Sequence, residues 1–251
     1  MRLVMAITLV LSTFACSKEK KQKPLAYKPC LPKPGYVKCF PLEGKIDALL
    51  QRHAKTYKID WKFAKAVLIK ESHFHRYLVS VSGAVGLMQL MPRYGSYVTD
   101  NYRNYTAGRK VKRNSKGQRK YKEKDYRYWA RQYQKDLQTL VKEIKDKKEL
   151  AKKDTRFDMN FNIRSGIGQL AGDYYFFKKR GHSLYVATVL TAAAFNAGRG
   201  ASSYNQPKAK YDHIPINGQT EYYTAFVMRI YEALKRGGGR LLKRDRYILY
   251  L

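Results

Sequence analysis

Apolar positions recur along this chain with the period of a helix, and the first clear case is Ile46, Leu49, Leu50, His53 and Tyr57, which share one face. A second helix is expected to begin at Asp60, whose carboxylate can cap the amides of Lys62 and Phe63. Its inward stripe of Ala64, Val67 and Leu68 runs on into Glu71. Farther along, Trp129, Tyr133, Leu137, Leu140 and Ile144 predict a long surface helix. Three more helices are expected over 163–179, over 184–196 with Gly198 as the stop, and over 220–235 with Tyr223, Phe226, Val227, Ile230 and Leu234 inward. Strand signals are sparse, so the expected fold class is mainly α with little or no sheet.

The segments between these helices are as informative. Two serines and two glycines mark 80–86 as a loop, and 86–91 is apolar except for Gln89 until Pro92 stops it. From Tyr94 to Arg156 the chain is polar and basic, and 101–122 reads as a mobile loop. Residues 17–44 are Lys-rich and then Pro-rich, as in a linker, and Gly237, Gly238 and Gly239 release a basic tail. One domain over 45–236 follows, with a basic insert at about 100–156 and a hinge and tail over 237–251. A chain of 251 residues suits that plan, because a core of this size buries about 70% of the unfolded surface without a disulfide scaffold.

The first residues point to export. An apolar run over 3–15, preceded by Arg2 and followed by a polar stretch, falls short of the roughly 20 residues that span a bilayer. It fits a signal peptide over 1–16. Cys16 directly after Ala15 resembles the lipid-attachment cysteine of bacterial lipoproteins, and Ser17 beside it would then direct the protein to an outer membrane. The other reading is a plain signal peptide cleaved nearby. Cys30 and Cys39, eight residues between them in a Pro-rich stretch, fit a short disulfide loop in an oxidising periplasm or two unlinked thiols.

Charge widens the choice of partner before motifs narrow it. Lys and Arg number 51 against 19 acids, a net charge of +32, which calls for a partner of opposite sign. Nucleic acid, an anionic membrane surface and a glycan whose peptides carry carboxylates all answer that field. An export signal is out of place in a nucleic-acid binder, and no metal-ligand spacing occurs.

Glu71 decides among these. A carboxylate that continues an apolar stripe loses hydration on burial, which keeps its acid form available near neutral pH and suits proton donation to a glycosidic oxygen. A lone Glu at a helix end more often rotates out to water. Its neighbours change that balance. Glu71-Ser72, Ser80 and the run 83–92 (Gly-Ala-Val-Gly-Leu-Met-Gln-Leu-Met-Pro) resemble the first two motifs of the soluble lytic transglycosylase family. The resemblance resumes at Phe157-Asp158, Asn162-Ile163 and 193–198, and ends with Ile214-Pro215 and 219–223.

That resemblance implies a lysozyme-like fold and cleavage of peptidoglycan. It implies Glu71 as the acid and base, Ser80 beside the reacting sugar, and Met88, Gln89 and Met91 along the glycan groove. Phe195 and Asn196 fall on the family's aromatic and Asn, and Tyr223 on a tyrosine close to the glutamate. Each has a plainer reading: methionines fill cores and Tyr223 would pack regardless, whereas Gln89 needs a partner for its amide. Phe195 replaces the usual Tyr, and Gln219 and Glu221 replace the usual Glu and Arg.

Because the resemblance carries over no second carboxylate in a catalytic role, which hydrolytic glycosidases use, the implied product is a 1,6-anhydromuramic acid end. No metal or cofactor is called for. The expected partner is the glycan strand, met by a monomer, with a lipid anchor if Cys16 is modified. A hydrolytic muramidase of the same fold and a non-catalytic wall-binding lipoprotein remain as alternatives. The insert either holds the enzyme to the anionic wall or is a solvated helix and loop.

Overall fold

A computed structural model describes residues 43–109, 123–203 and 212–236. The expected signal peptide, most of the linker, Cys16, Cys30, Cys39 and the tail over 237–251 lie outside the described residues. Within them the chain forms α1 (Glu43–Tyr57), α2 (Trp61–Ser72), α3 (Asp100–Arg109), α4 (Glu123–Glu143), α5 (Lys147–Lys153), α6 (Met159–Lys179), α7 (Leu184–Ala197), the single turn α8 (Arg199–Ser203) and α9 (Gln219–Lys235). Among the described residues, extended pairing is limited to isolated bridges of Val85 with Val79 and with Leu90. The fold class is therefore mainly α, as the helical periodicity predicts.

Local chemistry sets the boundaries. Asp60 caps α2 through Lys62 N at 2.8 Å, while Phe63 N finds the Asp60 carbonyl instead of its carboxylate. The 163–179 helix begins four residues earlier than its apolar stripe, because Asp158 accepts from Phe161 N at 2.6 Å and so serves as N-cap. Gly198, at φ +89°, ends α7 where expected. The entry to α9 is fastened by Asn217, which accepts from Thr220 N at 2.7 Å, and by Glu221, which accepts from Gly218 N at 3.0 Å.

Among the described residues the helices enclose two large apolar cores and a small third one of Phe177, Ala187, Leu190 and Ala194. The larger one joins α1, α2, α6, α7 and α9 through buried Ile46, Leu50, Val67, Leu68, Ile163, Ile167, Ala192 and Val227. Loop residues Leu87, Met88 and Leu90 enter it as well. The second core gathers Tyr105 of α3, Tyr133 and Leu137 of α4, Leu150 of α5 and Phe157 around Val79 and Val85 of the same loop. The loop over 79–91 is thus packed from both sides.

Here the expectation for the insert needs correction. Residues 101–109 are not a loop: they belong to α3, which lies along α4 with Tyr105 wholly buried. Helix α3 has a weak apolar stripe of its own, and what holds it is aromatic packing of Tyr105 and Tyr102 on Tyr133. The remainder of the expected loop, 110–122, lies outside the described residues. No described helix is long and apolar enough to cross a membrane.

Candidate active site

Glu71 sits in the last turn of α2, where the chain must leave the helix abruptly. His73 caps α2 in the left-handed region at φ +49°, with its amide bonded to Ile69 O, and Phe74 follows at φ +65°. Two successive non-glycine residues in this region are unfavourable, by about 1–2 kcal/mol each. Packing of Phe74 against the larger core offsets that cost. The turn leaves Glu71 half-buried: the residue keeps an open edge while protein crowds its carboxyl group.

Burial pushes the Glu71 carboxyl up to about 7, against the opposing pull of a hydrogen bond from Tyr223 and the charge of Lys70. The C-terminal end of a helix is also a poor place for an anion. Tyr223, on the inward face of α9, donates from Oη to Glu71 Oε1 at 2.6 Å. Its own hydroxyl is held well above the usual range by burial and by the adjacent carboxyl, so it stays a donor. A carboxyl that is half protonated near neutrality can both give a proton and take one back.

The loop over 79–91 is fixed by two polar side chains. Asn162 of α6 donates from Nδ2 to Val85 O at 2.9 Å and Arg156 O at 2.8 Å, and its Oδ1 accepts from Met88 N at 2.8 Å. Gly86, at φ +83°, is required there because a Cβ would stand 2.3 Å from Asn162 Nδ2. Arg156, with no exposed surface, pairs with equally buried Asp154 at 2.6 Å. It donates from the same guanidinium to Gly83 O at 2.7 Å, Leu90 O at 3.2 Å and Tyr133 Oη at 2.8 Å.

The expected site residues occupy different settings. Ser80 closes the loop, its Oγ accepting from Ala84 N at 3.0 Å. Gln89, at φ +45°, donates from Nε2 to Gly86 O at 2.8 Å and Leu78 O at 3.2 Å, so its amide finds its partners in the loop backbone. Met91 is half-buried just before the turn at Pro92–Tyr94. Met88, expected along the groove, is instead wholly buried against Gly166, where the absence of a side chain on α6 makes room for it. Phe195 and Asn196 are half-buried at the end of α7, and Asn196 Oδ1 accepts from Thr220 Oγ1 at 3.0 Å, one turn before Tyr223.

Among the described residues, Tyr223 is therefore the candidate that touches Glu71, although 152 positions separate them. Sequence reasoning missed Lys70, Arg156 and Thr220 as parts of this arrangement. Arg156 closes a basic stretch and looks like any surface cation. A signal was present in Asp154, since an acid two residues from an arginine just before an apolar Phe157 is a possible buried pair. Lys70 and Thr220 carried no signal of their own.

A helical domain with such a carboxyl at a helix end, bonded by a tyrosine from a distant helix, defines a class of acid–base site. Comparison adds a family likeness: residues 48–122 match the family model for the Transglycosylase SLT domain. Glu71, Ser80 and Gln89 fall inside the match, while Asn196 and Tyr223 lie beyond it, and the fold brings Tyr223 back to Glu71. A solved structure, an inactive mutant of the lytic transglycosylase Slt from Pseudomonas aeruginosa, is 20% identical, with a TM-score of 0.42. The similarity covers 78% of this chain and 24% of that one, so this chain spans about a quarter of that protein's length.

Proposed function

We propose that this protein is a lytic transglycosylase, cleaving the β-1,4 bond between N-acetylmuramic acid and N-acetylglucosamine in peptidoglycan and leaving a 1,6-anhydromuramic acid end. The observation that carries the reading is the single carboxyl of Glu71, raised to about 7 by burial and held by Tyr223. Among the described residues the charge acting on it comes from Lys70 and not from a second acid. That fits a reaction in which one group serves as acid and then as base.

In the first step Glu71 gives its proton to the bridging oxygen as the bond from that oxygen to muramic C1 breaks. The carbonyl oxygen of the sugar's own N-acetyl group supports the electron-poor C1. Glu71, now a carboxylate that Tyr223 still bonds, takes the proton of the 6-hydroxyl as O6 closes on C1, which returns the carboxyl to its starting state. The export signal expected over 1–16 would carry the enzyme to the compartment that holds this polymer, with Cys16 as the point of lipid attachment.

Mass spectrometry of sugars released from purified peptidoglycan by the protein lacking residues 1–16 tests this. Fragments lighter by one water than hydrolytic products are expected, and Glu71→Gln should reduce their release by about 10³-fold. Reducing-end fragments would instead make the protein a muramidase, and equal release by Glu71→Gln would remove Glu71 from the chemistry.

A further inference from the structure

Lys70 is the neighbour of Glu71 in sequence, yet it does not point to open solvent as a helix-end lysine ordinarily does. It is half-buried, and its ammonium stands 4.9 Å from the ring centroid of Phe226, 5.0 Å from that of Tyr222 and 6.0 Å from that of Tyr223. These rings lie within little more than one turn of α9, so the ammonium rests on a platform of ring faces, which attract a cation. Tyr223 belongs to both contacts: its ring borders the ammonium and its hydroxyl reaches Glu71 at 2.6 Å.

We propose that Lys70 is a positioning residue for the reaction proposed above: clamped on the α9 rings, it steadies Tyr223 against Glu71 and balances the negative charge that Glu71 acquires once its proton has gone to the glycan. The need for it follows from the setting. When Glu71 releases its proton, a carboxylate is left in protein surroundings with one hydrogen bond, and a fixed cation one residue away lowers the cost of that state. A lysine free to swing into water would be screened and would do little.

The other groups around the pair agree with this assignment. From α9, Glu71 is faced by the Tyr223 hydroxyl, which stays protonated. From the turn after α2, His73 lies in the field of Lys70 and of His75, and burial together with those charges holds it below the usual histidine value. His73 therefore does not act as a second cation near neutral pH. Burial pushes Lys70 itself down while the Glu71 charge pulls it up, which ties the two groups to each other.

The test compares Lys70→Met, which keeps length and ring contact, with Lys70→Arg, which keeps the charge. The titration of the Glu71 carboxyl is followed by carbon NMR without substrate and assigned by its loss in Glu71→Gln. Lys70→Met is expected to move the midpoint up by about 0.5–1 pH unit and Lys70→Arg to return it to the parent value. A Lys70→Met protein that titrates like the parent, or two variants that shift alike, would overturn the proposal. Because no glycan enters this readout, its outcome is separate from whether the protein cleaves peptidoglycan.

Discussion

At the scale of single residues, Glu71 couples chemistry to stability. A carboxyl raised to about 7 binds a proton in the folded state over a range where the unfolded chain, near 4.5, has lost it. The folded state then holds more protons than the unfolded one, so this contribution is complete below about 4.5 and is lost as pH rises through 7. Above that, folding forces a charge into a poorly hydrated place. Glu71→Gln is accordingly expected to stabilise the protein at pH 8 by about 1–3 kcal/mol and to change little at pH 4, as read from thermal unfolding at both. Greater stability of the parent at pH 8 would mean that the ionised carboxylate is well satisfied, contrary to the crowding around it. A site that destabilises its own fold in this way is legible in sequence only as an acid where the apolar stripe demands a leucine, which is how Glu71 stood out.

At the scale of elements, the insert proves to be a buttress. Arg156 and Asp154 form an ion pair with no exposed surface, and the arginine spends its remaining donors on Gly83 O, Leu90 O and Tyr133 Oη. The loop over 79–91 is therefore fastened to α4 through one guanidinium. Arg156→Met would leave the Asp154 carboxylate buried without its cation, with the amide of residue 156 still donating to it, and is expected to cost about 3–5 kcal/mol in urea unfolding. Removing both charges, as Arg156→Met with Asp154→Leu, should recover part of that loss; a double variant no better than the single one would place the cost in the lost loop contacts. Helices α1, α2, α4, α6, α7 and α9 were readable from periodicity and caps, and α3 was not. The role of the insert was not: the stripe with Tyr133 and Leu137 shows in the sequence, but that it becomes core together with Tyr105 is decided only when the chain folds back on the loop.

At the scale of the whole molecule, a net charge of +32 acts over distances that no single contact reaches. Arg131, Lys135 and Lys142 are exposed on the side of α4 away from its buried stripe, so the insert contributes to that field while it also supports the loop. Retention of the Glu71→Gln protein on peptidoglycan is expected to weaken about tenfold between low salt and 0.5 M salt, as the Debye length contracts from about 10 Å at 0.1 M toward 3 Å at 1 M. Sedimentation with insoluble glycan measures it, and binding indifferent to salt would show that the charge takes no part in holding the wall.

The order of motifs, the caps and the helical stripes are local properties, so the sequence alone determined that the chain is helical, where α7 and α9 begin and end, and which carboxyl is out of place. Nothing local determines which distant side chain meets that carboxyl. The bond from Tyr223 to Glu71 joins residues 152 positions apart, and the hold of Arg156 on Gly83 joins residues 73 apart. Met88 and Gln89 show the same division: adjacent in a chain that makes both candidates, they part when the loop turns one into the core and spends the amide of the other on its own backbone. Those outcomes belong to the tertiary structure, because burial, and with it the proton affinity of Glu71, is set by what packs around a group and not by its neighbours in sequence.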